Sequence, residues 1–184
     1  MSVAIDLMTS FESDRPSKKT PSVWIGCLAS YNSGRLFGEW VEIPTDPEQL
    51  REEIQRVLKK SPEPMAEEWA FMDYEYVPTE FGENPDLDKL CEYVQLTQDY
   101  SINEVGAFIS CFSLDDLDNF TDAYIGVYES FDEFAQQEAD CHLDAIEGQD
   151  FLKRYFDYDS WSRDLSYDYS SEYIGGSCYV FSNY

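Results

Sequence analysis

DDLDNFTDAYIGVYESFDE, residues 115–133, places seven carboxylates and four aromatic rings in nineteen positions, with no lysine, arginine or histidine among them. Its periodicity changes twice. Ser113 with Asp116 reads as a cap opening a short helix, AYIGVYE (123–129) reads as a strand, and Ser130 with Glu133 caps a further helix running to about Glu147 before Gly148. The rings of Phe120, Tyr124, Tyr128 and Phe131 read as core or strand-face residues. The acids between them point outward, because an unpaired carboxylate is costly to bury. Helix, strand and helix in one acidic run predict an α+β fold that displays like charges at a cost in stability.

Upstream, residues 84–120 read as helical. Asn84-Pro85 opens a segment whose Leu87, Leu90, Cys91 and Val94 share a face, and a Ser101–Glu104 capping box precedes Val105, Phe108, Ile109 and Phe112. Further back, VWIGCLASY (23–31) and RLFGEWVEI (35–43) read as a hairpin about the turn Asn32-Ser33-Gly34. Asp46 and Pro47 then cap and open a helix to about Lys60, with Leu50, Ile54, Val57 and Leu58 on one face. EWAFMDYEY (68–76) reads as a third strand. Downstream, Phe134, Ala135, Cys141, Leu143, Ala145 and Ile146 form the apolar side of the helix after Ser130. FLKRYFDYDSWSRDL (151–165) gives one or two short helices, and Gly175-Gly176 turns into a closing strand, CYVFS. Residues 1–20 are polar and aperiodic, as a mobile tail would be.

The chain has 184 residues, 43% hydrophobic and 16% aromatic, which excludes a natively unfolded acidic chain. Its net charge is −26, from 38 acidic and 12 basic residues, and the excess is segregated. Residues 61–152 carry 24 acids against Lys89 alone, whereas the first 60 carry nine acids and eight bases. A salt-adapted surface would be acidic throughout. A field of this sign repels nucleic acid and anionic membranes, so the expected partner is a positively charged protein surface. Cys27, Cys91, Cys111, Cys141 and Cys178 form no CxxC pair, and free thiols fit a reducing cytoplasm. The N-terminus shows no signal-peptide pattern, and no apolar run is long enough to span a membrane.

The residues for common catalytic chemistry are missing. His142 is the single histidine, and its neighbour Cys141 points about 100° away on a helix, with a buried cysteine beside a half-exposed histidine as the expected arrangement. The runs at 86–90, 116–120 and 157–161 lack the ligand and glycine spacing of a calcium loop. There is no phosphate-cradling glycine loop, GxSxG or HExxH. Neither a cofactor, a metal site nor an enzymatic activity is expected.

Duplex DNA carries one charge per about 1.7 Å, so 26 net charges match the phosphates on roughly 44 Å of duplex. A folded surface of that density could occupy a basic DNA-binding groove. VWIGCLASYNSGRLFGEWVEIP, EWAFMDYEYVP, YFDYDSWSRDL and YVFSNY, in that order, resemble the ArdA antirestriction family across roughly residues 21–184. The resemblance rests on the strand–YN-x-G–strand opening with its G-x-W, the DYE, and the late DY-x-x-x-x-RDL. It implies an elongated, curved protein of up to three small lobes, 21–79, 80–120 and 121–184, the last one dimerising. It also implies mimicry of bent B-form DNA against the DNA-binding core of type I restriction–modification enzymes, and carriage on mobile elements. The phosphate stand-ins would be Asp73, Glu75, Glu80, Glu83, Asp86, Asp88, Glu92, Asp99, Glu104, Asp115, Asp116, Asp118, Asp122, Glu129, Asp132, Glu133, Asp140 and Asp144. Arg163 and Asp164 read as a structural pair. Two other readings compete: an acidic decoy or adaptor for another nuclease or a nucleoid protein, and an enzyme using a carboxylate pair such as Asp115/Asp116 or Asp132/Glu133 in a well-formed cleft.

Overall fold

The computed structural model describes residues 19–146 and 149–184, so the tail expected over residues 1–20 lies almost wholly outside them. Strand β1 (Ser22–Cys27) pairs antiparallel with β2 (Gly38–Glu42) and β3 (Trp69–Glu75), in the order β2-β1-β3. The first strand stops four residues earlier than its composition predicts, and Leu28–Asn32 winds into a short helix, α1. Ser30 explains the change: it is fully buried, and its hydroxyl meets that of Ser61 at 3.0 Å, drawing the chain out of the sheet. Gly34, at φ 78°, supplies the left-handed residue of the following turn.

Helix α2 (Pro47–Lys59) starts where expected, with the Asp46 carboxylate accepting from the Glu48 N–H at 2.9 Å. Its Leu50, Ile54, Val57 and Leu58 join Val23, Ile25 and Val41 of the sheet in the core. The opposite sheet face is shaped by a close approach at Gly38. A Cβ there would lie 2.4 Å from the Ile25 carbonyl oxygen and 2.7 Å from the Trp24 indole nitrogen.

Helices α3 (Leu87–Asp99) and α4 (Ile102–Cys111) follow, then a 3-10 turn (Leu114–Asn119) and α5 (Phe120–Ala123). The Ser101–Glu104 capping box forms in both directions. The cap expected at Ser113 does not: its hydroxyl donates to the Asp116 carboxylate at 2.6 Å instead of accepting a backbone N–H, and the segment winds as 3-10 helix.

The second sheet joins β4 (Tyr124–Tyr128), β5 (Tyr169–Ile174) and β6 (Ser177–Ser182) antiparallel, in the order β4-β6-β5. Strand β5 went unforeseen because YSSEYI offers little apolar alternation, and none of its residues is fully buried. It forms by pairing with β6 across Gly175-Gly176, whose φ values of 62° and 89° suit a two-residue hairpin turn. Helix α6 (Phe131–Asp144) buries Phe134, Ala135, Ala139 and Leu143. Ala135, Ala139 and Leu143 recur every four residues, which turns Cys141 to the exposed side, contrary to the expectation of a buried thiol. Ala145 and Ile146 lie past the helix end and are exposed. Two short helices, α7 (Gln149–Lys153) and α8 (Tyr158–Leu165), complete the chain.

One buried cluster runs from Val23 through α2, α3 and α4 to Phe181, and a smaller one joins Phe134, Cys178 and Val180. Strand β6 serves both, with Tyr179 and Phe181 on one face and Cys178 and Val180 on the other. No helix among the described residues is long and apolar enough to cross a membrane.

Gly38→Ala should lower stability by about 1–3 kcal/mol, because backbone or the Trp24 ring must move to admit the methyl group; urea denaturation measures this, and an unchanged midpoint would contradict the close packing. A second expectation concerns Glu104, whose carboxylate accepts from the Tyr124 hydroxyl and, at 2.5 Å, from the Ser101 N–H. Burial opposes its charge, but these bonds outweigh burial and hold the carboxyl below its ordinary value. A depressed folded-state value gives stability that is present above about pH 4.3 and is lost as pH falls through the folded value. Glu104→Gln should therefore cost about 1–2 kcal/mol at neutral pH, with the gap from the parent protein narrowing below about pH 4.

Candidate acidic interaction surface

Every described carboxylate remains at least partly in contact with solvent: Ser30 and Ser162 are the buried polar side chains among the described residues. Of the acids singled out from the sequence, Asp73, Glu75, Glu80, Glu83, Asp86, Asp88, Asp99, Asp115, Asp118, Asp122, Glu129, Asp132 and Asp144 are exposed. Glu92, Glu104, Asp116, Glu133 and Asp140 are half-buried. They sit on β3 and the chain leaving it, on α3, at the start of α4, along the 3-10 turn and α5, and from the end of β4 through α6. Asp73 and Glu75 share one face of β3 at a separation of about 7 Å, and Asp88 and Glu92 stand about 6 Å apart along α3.

The half-buried acids are tied into the fold. Glu104 and Glu133 accept the backbone N–H groups that open α4 and precede α6, and Asp116 takes the Ser113 hydroxyl. Asp140 accepts from the Tyr158 hydroxyl at 2.8 Å, which, ahead of Lys153, holds its carboxyl below the usual range. Among the exposed acids, Asp86 caps α3 through the Asp88 N–H, and Asp132 takes the Ser162 hydroxyl at 2.6 Å. By contrast, Glu75, Glu83, Asp99, Asp115, Asp122 and Glu129 make no ion pair or side-chain hydrogen bond among the described residues.

Cations near this surface are few, and several are engaged by its acids. Lys89 bridges Glu92, at 3.0 Å, and Asp118, joining α3 to the 3-10 turn. Its ammonium is the main cause that holds Asp118 below the usual carboxylate range, whereas burial pushes Glu92 up. Lys153 lies 2.9 Å from Asp144 and 3.3 Å from Asp140. Arg51 reaches Asp88 at 3.6 Å. In the first sheet region Arg56 and Lys60 both meet Glu39. Arg163 approaches Asp164 at 3.8 Å, both well exposed, which is the pairing read from the sequence in a weak form.

Three shallow clefts, of about 330, 280 and 390 Å³, contain at most one carboxylate each: none in the first, Glu80 in the second and Glu83 in the third. Neither Asp115/Asp116 nor Asp132/Glu133 lines one of these clefts. His142 is exposed and packs against the edge of Trp161, with ring centres 5.9 Å apart. Among the described residues no group of three His, Cys, Asp or Glu side chains is placed to hold a metal ion. What the sequence did not reveal is the set of hydroxyls that anchor acids across the chain, Tyr124 to Glu104, Tyr158 to Asp140 and Ser162 to Asp132. No spacing signals them, because each pair is joined only by the tertiary fold.

A family model described as antirestriction protein (ArdA) matches residues 23–179, most of the chain. No curated protein matches it. That match covers most of the chain, and the chain belongs to the ArdA family of antirestriction proteins.

Proposed function

We propose that this protein is an inhibitor that mimics B-form DNA and competes with it for the basic groove of a type I restriction–modification enzyme. The observation that carries the reading is the segregation of charge: 24 acids and one base over residues 61–152, with that base, Lys89, already engaged by two of the acids. Proteins that bind duplex DNA gain affinity by displacing counterions with phosphate contacts. A rigid surface of carboxylates offers them the same exchange. The eighteen acids named above serve as phosphate stand-ins, and those without an internal partner contribute most, because no internal bond must be broken to engage them.

The reading also assigns an elongated, curved body with lobes at residues 21–79, 80–120 and 121–184. The last lobe dimerises, so that two acidic surfaces form one longer decoy. The protein works in the cytoplasm, where the restriction enzyme meets incoming DNA, and carriage on a mobile element fits that role. It needs no cofactor and performs no catalysis.

Titrating the protein into DNA cleavage by a purified type I enzyme tests this. Inhibition should be complete near stoichiometric ratios and should weaken steeply as salt rises; absence of inhibition across several type I enzymes would contradict it. Energy in such a surface is spread thinly. Asp122→Asn alone should change the inhibitory concentration by less than about threefold, whereas Asp115→Asn, Asp118→Asn and Asp122→Asn together should raise it by about tenfold or more. Equal effects of the single and triple changes would point to one specific contact instead.

A further inference from the structure

The outer face of the first sheet carries a feature that charge alone does not explain. Trp24 stands directly opposite Trp40 on β2 and Asp73 on β3, so all three side chains share one face. The two indoles meet edge to face with centres 5.9 Å apart. Two residues along, Ser22 stands opposite Glu42 and Glu75, placing both carboxylates on that same face. Glycines make the surface flat: the Trp24 ring lies over Gly38, and the Met72 thioether lies over Gly26, where an added Cβ would meet the sulfur at 2.3 Å. Helix α2 covers the other face of the sheet. Trp40 remains 43% exposed, although burying an indole is among the larger apolar gains open to a fold.

An exposed Trp40 packed on a half-buried Trp24 and bordered by Glu42, Asp73 and Glu75 has the chemistry that selects arginine. The guanidinium stacks on an indole face while its N–H groups reach a neighbouring carboxylate, an arrangement that a lysine ammonium satisfies less well. Asp73 and Glu75 also belong to the acidic surface described above, so the platform is continuous with it. We infer that this face is an arginine-binding platform, through which the protein grips an arginine-bearing surface of its basic protein partner. The inference rests on the partner class proposed above and adds a salt-resistant contact to a salt-sensitive one. The G-x-W at Gly38–Trp40 then has a physical reason: the glycine makes room for one indole and positions the other.

Titration of the full chain with oligo-arginine and oligo-lysine peptides of equal length, followed by tryptophan fluorescence and calorimetry, tests it. Arginine should bind about tenfold more tightly than lysine at about 0.15 M salt. Trp40→Ala should remove that preference while leaving lysine binding unchanged, and Glu42→Gln with Asp73→Asn and Glu75→Gln should weaken both peptides. Equal affinities for the two peptides on the parent protein would overturn the inference without recourse to any variant, as would a Trp40→Ala protein that keeps the full arginine preference. Sedimentation that shows Trp40→Ala dissociating a dimer would assign the face to a second copy and overturn it too. Arginine selectivity through Trp40 without inhibition of any type I enzyme would keep the platform and remove the proposed target. Inhibition without that selectivity would do the reverse.

Discussion

Three phenyl rings hold the acidic half of this protein together. Phe108 of α4, Phe120 of α5 and Phe181 of β6 are fully buried, and Phe108 meets the other two at 5.4 and 5.5 Å in edge-to-face contacts. Tyr124 stacks on Phe120, and Tyr100 packs edge-on to both. Each ring comes from a different part of the chain, and α4, α5 and β4 carry or adjoin Glu104, Asp122 and Glu129, while β6 carries no acid and α6 packs through Phe134 in the smaller cluster. Like charges at this density push those elements apart, while the burial of several aromatic side chains, at about 1.5–3 kcal/mol each, draws them together. The quoted acidic run is therefore built as rings inside and charge outside, in alternation along one chain.

The same division governs where the cations go. Most bases act within the fold: Arg56 and Lys60 on Glu39, Lys89 between α3 and the 3-10 turn, Lys153 against α6. They fix elements relative to one another and leave Glu75, Glu83, Asp99, Asp115, Asp122 and Glu129 unneutralised. A surface meant only to be soluble would gain stability from interspersed bases. Lys89 is the single base in residues 61–152 and is engaged by two acids, which leaves that stretch with one sign of charge.

Much of this was legible in the sequence where local chemistry decides the outcome. Asp46 with Pro47, the Ser101–Glu104 box and the Ser130 cap marked helix starts correctly, because their partners lie within four residues. Some errors fell where distant partners decide and others within a single helix or turn, as where the Ser113 hydroxyl goes to Asp116 instead of capping. Ser61 turns Ser30 inward and ends β1 early, β6 recruits the polar β5, and the four-residue recurrence of Ala135, Ala139 and Leu143 exposes Cys141. For the acids singled out, desolvation cost alone predicts an outward position, and thirteen of the eighteen are exposed while five are half-buried. Sequence could not separate acids with internal partners from those without, because Tyr158 and Ser162 reach Asp140 and Asp132 only in the folded protein. The tryptophan face was likewise hidden, since the pairing of Trp24 with Trp40 and Asp73 depends on strand register.

The most direct test is a displacement experiment in which labelled duplex DNA is bound to the purified methyltransferase core of a type I enzyme and this protein is added. DNA should be released in strict competition, with an apparent affinity that falls linearly in log–log terms as salt rises. A stable complex holding enzyme, DNA and this protein together would contradict it, because a mimic and the DNA it imitates cannot share one groove.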